Sequence, residues 1–380
     1  MSPRLATFLM FVANGAVVGT WVAFIPTVKE GLAVSAGAFG VALLFGPLGA
    51  LVSQQISGQL LVRFSSRRLV TLSGLVYPWL VLLPLAAPSV PALAASLFVM
   101  GYFNSMMDLT MNAHGVALEE RGDDSIMSRL HAGWSLGGVI APVAVAAALE
   151  LGVDRRLEAV VAAALLFVLI LFAARHLGTG STRAEHTDGL HLPSRAVLPL
   201  AGLIVLIAFV EGGLTDWGGV YLNEGIGAGA SVAAMAYASL SLGMLVGRLG
   251  GDWTKDRIGS IRLMQLGMLM TAVAIAVFLL VGEPWVALVG MVAAGIGVAN
   301  TVPQIFGAAG RIPPGGPSLS AVFTTLTLVF VAGPPFIGAT SDAVGIDGAF
   351  WLFVAASVVV AIIVPRVPAA ETNPRFRREA

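Results

Sequence analysis

The sequence contains no cysteine, which excludes disulfides, thiol nucleophiles and thiolate metal sites. It is also poor in charge. Asp, Glu, Lys and Arg make up 11% of the 380 residues, whereas soluble domains carry about a quarter, so too little polar surface is available to cover a globule in water. No sign of charge is in excess, with 21 basic and 21 acidic side chains, and this balance gives no electrostatic footprint for a nucleic acid. Walker loops, H-E-x-x-H and G-x-S-x-G strings are missing, and the Gly-rich string Gly310-Arg-Ile-Pro-Pro-Gly-Gly-Pro317 reads as a loop. Neither an enzyme, a cofactor nor a metal site is expected. Without an ATP site, any work must be drawn from an ion gradient.

What the chain has in quantity is apolar length: 57% hydrophobic residues and a mean hydropathy of +0.90. Apolar stretches lie near residues 5–28, 37–61, 69–86, 91–117, 131–150, 157–175, 196–222, 231–251, 261–282, 285–307, 318–338 and 348–365. Each is close to the roughly 20 residues that one bilayer crossing needs. They are continuously apolar rather than alternating, which indicates helices and not barrel strands, and helices satisfy their own backbone in lipid. The first stretch is too long for the apolar region of a signal peptide and eleven others follow, so it is expected to be retained. The expectation is an all-α membrane protein of twelve transmembrane helices.

Basic residues set the orientation. With the N-terminus in the cytoplasm, the even-numbered connections and the two ends hold 18 Lys and Arg, among them Arg4, Arg121, Arg183, Arg248, Arg311, Arg375, Arg377 and Arg378; the other side holds only Lys29, Arg155 and Arg156. This favours a multi-pass protein of the cytoplasmic membrane with both termini inside. The longest polar break, Arg175 to Arg195, falls after six helices and divides the chain into residues 1–177, a linker at 178–195, and residues 196–380.

The halves echo one another. An offset of 194 residues places Arg63 on Arg257, Arg68 on Arg262, Leu69 on Leu263, Leu72 on Leu266 and Gly101 on Gly295. Matches at one constant offset indicate a duplicated six-helix unit with pseudo-symmetric halves.

Twelve helices, a central linker and a basic loop after the second and eighth helices together resemble the major facilitator superfamily, whose loop signature is roughly G-x-L-x-D-R-x-G-R-[RK]. The second copy keeps Asp256, Arg257 and Gly259; the first keeps Gly58, Leu60, Arg63, Arg67 and Arg68 but has Val62 where the family has Asp. The resemblance implies gating roles for Arg63, Arg68, Asp256, Arg257 and Arg262. In the fourth helix, Asp108-Leu-Thr-Met-Asn112 with Gly115 is similar to the E-x-x-x-N stretch of the fucose:proton symporter branch, and Gln55-Ile-Ser-Gly58 partly matches its second helix. That branch's first-helix Asp has no counterpart in Asn14-Gly-Ala-Val-Val-Gly-Thr-Trp21.

Two acids lie deep within spans, Asp108 and Glu211, where insertion scales make a charge costly by about 2.5 to 3.5 kcal/mol. A carboxyl group withdrawn from water favours its neutral form, so each is a candidate proton carrier, weighed against a simple interhelical bond. Asn104, Asp108 and Asn112 follow at successive turns and mark one polar face. Asn14 and Trp21 share a face of the first helix, and Asn300 and Gln304 share one of the tenth. Asn14, Trp21, Gln54, Asn112, Asn300 and Gln304 are candidate solute contacts or interhelical hydrogen bonds. His131 and Trp134 are either a titrating ring beside an aromatic platform or a helix-entry His with an interfacial Trp; Trp217 reads as an interface anchor. No Lys or Arg is placed deep, which argues against an anionic solute.

The reading is a proton-coupled transporter of a small, polar, sugar-like solute, acting as a monomer in lipid by alternating access. Its rivals are a proton-driven exporter of amphipathic compounds and a sensor without transport.

Overall fold

The computed structural model describes residues 1–119, 126–178, 193–313 and 315–373. Arg121, Arg183, Arg375, Arg377, Arg378 and most of the 178–195 linker lie outside them. Among the described residues there is no strand. The helices are α1 (Pro3–Leu32), α2 (Ala36–Leu43), α3 (Phe45–Arg63), α4 (Ser66–Leu80), α5 (Leu82–Ala86), α6 (Val90–Glu119), α7 (Met127–Glu150) and α8 (Arg155–Ala174), followed by α9 (Leu198–Val220), α10 (Ala230–Ile258), α11 (Ser260–Val281), α12 (Pro284–Val298), α13 (Thr301–Ala309) and α14 (Gly315–Ile363).

Local chemistry explains their ends. Ser2, Ser35 and Ser65 accept from the backbone amides of Leu5, Ala38 and Arg68, and Asp154 accepts from those of Arg156 and Leu157; each supplies the acceptor that the first turn of a helix lacks. Three spans are each interrupted once, and in each case a proline lacks the N–H that would bond the carbonyl four residues before it: Pro47 and Leu43 between α2 and α3, Pro84 and Leu80 between α4 and α5, and Pro303 and Ala299 between α12 and α13. The long α14 bends at Gly345, whose φ of 80° is not helical, giving segments 315–344 and 346–363. Eleven described stretches are long and apolar enough to cross a membrane, and the Gly345 kink makes the last of them two. Twelve spans result, each on one of the stretches read from the sequence.

The described residues divide into two compact units, those within 1–186 and 229–238 forming one and those within 187–228 and 239–380 the other. Within each, helices meet backbone to backbone at glycine. A Cβ on Gly49 would overlap the Phe98 carbonyl, and one on Gly101 that of Gly46; in the second unit Gly243 meets the Val292 carbonyl and Gly295 that of Leu240. All four residues of each set are related by the same 194-residue offset. Lipid gives no hydrophobic drive for helices to associate, so close approach through small residues carries the packing. Many large apolar side chains correspondingly stay on the outside, including Leu165, Val168 and Phe172 on α8.

Three residues counted with the connection after the eighth span, Arg248, Lys255 and Arg257, lie inside α10, which stays helical through its polar last turns to Ile258.

Candidate functional site

In the first unit the site begins with glycine. A Cβ on Gly15 would overlap the Trp134 carbonyl, and one on Gly137 would overlap the Val12 carbonyl. Only glycine lets α1 and α7 come so near, and this approach carries the Trp134 side chain to Asn14. Trp134 Nε1 donates to Asn14 Oδ1 at 2.9 Å, and Asn14 Nδ2 donates to Asn104 Oδ1 on α6 at 3.1 Å. Asn14 is only 1% exposed, so its amide is engaged on both sides and acts between helices, holding the indole in place.

One turn beyond Asn104 stands Asp108, which is exposed. Asn112 Nδ2 donates to its Oδ1 at 3.2 Å and to its backbone carbonyl at 2.8 Å. Tyr77 of α4, fully buried, lies within electrostatic range of Asp108. A carboxylate with one amide donor, a nearby phenol and open access can hold or release a proton while keeping its geometry. His131 is exposed and sits edge-on to Phe11, with ring centroids 5.3 Å apart, one turn before Trp134. Trp21 is buried and Gln54 half-buried; neither joins the Asn14 network in the bonds described. His114 is buried, with Nδ1 3.3 Å from Ser66 Oγ.

In the second unit Glu211 is half-buried on α9 and interacts electrostatically with Arg248 of α10. This cation overturns the expectation that no Lys or Arg lies deep. Asp216, five residues on, lines a small pocket with Gly212, Phe330 and Pro334. Trp217, expected at a membrane interface, has no exposed surface.

Asn300 and Gln304, paired on one face in the sequence, are directed to different tasks. Asn300 precedes α13 at the break in the span and donates from Nδ2 to the Gly247 carbonyl at 2.8 Å. Gln304 Oε1 accepts from Ser260 Oγ and Thr372 Oγ1, both at 2.8 Å, which engages its oxygen within the protein.

Arg63, Arg68, Asp256, Arg257 and Arg262, expected to gate, are exposed. Arg68 lies over the Phe64 ring and Arg257 over that of Trp253, 3.7 Å from the centroid. Within the last turns of α10 Lys255 pairs with Asp252 at 3.0 Å. Sequence reasoning missed Tyr77, Arg248 and Glu371. A buried tyrosine is not distinguishable by pattern from core, and Arg248, although inside the apolar stretch 231–251, is counted by charge with the connection that follows.

The Major Facilitator Superfamily model matches residues 5–318 and 219–380. The chain is 28% identical to an uncharacterised MFS-type transporter of Yersinia pestis over 92% of both chains. It is 30% identical to the membrane protein MosC of Rhizobium meliloti, over 94% of this chain and 88% of that one. Among solved structures, the nucleoside transporter NupG superposes with a TM-score of 0.75 at 14% identity, covering 97% of this chain and 99% of that one. A D-xylose-proton symporter does so with a TM-score of 0.73 at 14% identity, covering 95% and 96%. The matched model, the twelve apolar spans and the doubled basic loop agree: the chain belongs to the major facilitator superfamily and is a multi-pass membrane transporter, not an enzyme.

Proposed function

We propose that the protein moves a small, polar, neutral, sugar-like solute across the cytoplasmic membrane together with protons, by alternating access, with both termini cytoplasmic and the monomer as the working unit. The observation that carries this reading is the α6 face: Asn104 bound to Asn14, then Asp108, then Asn112 bound to Asp108. Asp108 is the proton carrier and Glu211 the second acidic group. Trp134, aligned by Asn14, is the platform for a ring-bearing solute, with Asn112, His131, Gln54 and Trp21 around it. Asn14, Asn300 and Gln304 are left out of direct solute contact because their amides are engaged with the protein. Arg63, Arg68, Asp256, Arg257 and Arg262 gate.

The resemblance to the fucose:proton branch supports the solute class, as do two neighbours in fold whose solutes are a nucleoside and D-xylose. Neutrality is kept because Glu211 offsets Arg248. A proton crossing about 100 mV supplies about 2.3 kcal/mol, enough for roughly 50-fold accumulation. The test is proton movement in proteoliposomes against a panel of sugars and nucleosides. Wild type is expected to take up protons only with solute, and Asp108→Asn to lose this while remaining folded. Proton flow against the solute would replace symport by export, and coupling retained in Asp108→Asn would remove that residue from the mechanism.

A further inference from the structure

After α14 the chain makes two short 3-10 turns, Val364–Arg366 and Pro368–Ala370, and then buries a charged residue, Glu371, which is only 4% exposed. Such a side chain is rarely buried unless its oxygens are engaged. Glu371 Oε1 accepts from Ser260 N at 3.0 Å and from Asn373 N at 2.8 Å, and Oε2 accepts from Ile261 N at 3.2 Å. Ser260 and Ile261 are the first two residues of α11, whose amides have no partner within the helix.

The reason α11 needs this help lies in the residue before it. Gly259 has φ 83° and ψ 163°, a conformation that only glycine holds without strain, and glycine offers no side chain to cap a helix. The equivalent residue 194 positions earlier is Ser65, in ordinary extended geometry with φ −68° and ψ 145°, and its own hydroxyl caps α4. The second copy of the basic loop has therefore exchanged its own cap for a left-handed turn, and a carboxylate from the far end of the chain takes the cap's place, complementing the positive end of the helix.

More contacts join the same three residues to their surroundings. Thr372 Oγ1 donates to Gln304 Oε1 on α13 at 2.8 Å and meets Ser260 Oγ; Asn373 Nδ2 donates to the Lys255 carbonyl near the end of α10 at 3.1 Å. Val364, Val367 and Ala370 of the same segment are buried. One strap thus ties the end of α10, the start of α11 and α13. Its polar bonds are of the kind water can replace, since amides released by Glu371 regain hydrogen bonds from solvent.

We propose that residues 364–373 form a detachable clasp on the turn at Gly259 between α10 and α11, beside Asp256, Arg257 and Arg262, with Glu371 as its pin. Docking the strap holds this junction in one position, and undocking frees it to move. The gating consequence rests on the reading of the loop as a gate; the clasp itself does not.

The native chain has no cysteine, so Ile261→Cys, 8% exposed in the parent, is a single reporter under the strap. Maleimide labelling of the full chain in detergent is expected to be slow with Glu371 present and at least about tenfold faster with Glu371→Ala, by loss of charged hydrogen bonds, with Glu371→Gln in between. A synthetic peptide of residues 366–380 added to the Glu371→Ala chain is expected to slow labelling again, and the same peptide carrying Glu371→Ala is not. Unchanged labelling in both Glu371 variants would overturn the clasp, as would equal action of the two peptides. If labelling responds but solute-driven proton movement does not, the clasp stands and the loop loses its role as a gate.

Discussion

Trp134 fixes two consecutive residues of α1: its indole donates to Asn14 Oδ1 at 2.9 Å, and its carbonyl fills the place a side chain on Gly15 would take. The same residue thus orients an amide and sets the spacing of two helices, which is why Asn14 and Gly15 are best understood together.

Asn14→Leu removes both bonds of that amide and leaves the Trp134 N–H and Asn104 oxygen in an apolar setting. Interhelical hydrogen bonds in membranes average about 0.6 kcal/mol and reach about 1.7, so a loss of about 1 to 3 kcal/mol is expected in detergent unfolding. Trp134→Phe should add little in that background. Fully additive costs would mean that the two residues act independently.

Glu211 and Arg248 are predicted to be coupled. Glu211→Gln takes a compensating charge from a cation within a span, a kind of change that costs about 3 to 5 kcal/mol when burial is complete and less here because both groups are half-buried. The double variant Glu211→Gln/Arg248→Gln is expected to be more stable than Glu211→Gln alone. A double-mutant cycle checks this, and zero coupling energy would dismiss the pair.

The glycine contacts predict matched penalties. Gly101→Ala and Gly295→Ala each force a methyl group onto a carbonyl at equivalent places, and overpacking of this kind costs about 1 to 3 kcal/mol. Gly202, in α9 with open space around it, should gain up to about 1 kcal/mol as alanine. Thermal unfolding of the three variants compares them directly, and a Gly202→Ala loss equal to the others would argue against backbone contact as the cause.

Gly345 isolates backbone strain from packing. No atom lies within 4 Å of its absent side chain, yet φ is 80°. Gly345→Ala should therefore cost about 1 to 3 kcal/mol by backbone strain alone. An unchanged melting temperature would mean that the kink between the last two spans relaxes freely.

Much of the architecture was legible in the chain. Twelve apolar lengths, proline positions and the basic loop are local signals, and the 194-residue offset that pairs Arg63 with Arg257 reappears as matching glycine contacts at Gly101 and Gly295. Asp108 and Asn112 were also readable, because residues four apart in a helix meet without help from elsewhere.

The assignment of the remaining polar atoms was decided only by tertiary structure. Helical period indicates which face a side chain occupies, not which neighbour stands opposite, so Asn300 and Gln304 looked alike in sequence until α10, α11 and the strap claimed their amides. The partners of Asn14 lie 90 and 120 residues away, and Glu371 caps an amide 111 residues before it. Apolar length and local turn chemistry determine that this chain crosses a membrane twelve times; packing determines which buried hydrogen bonds are already satisfied and which groups are left to meet a solute.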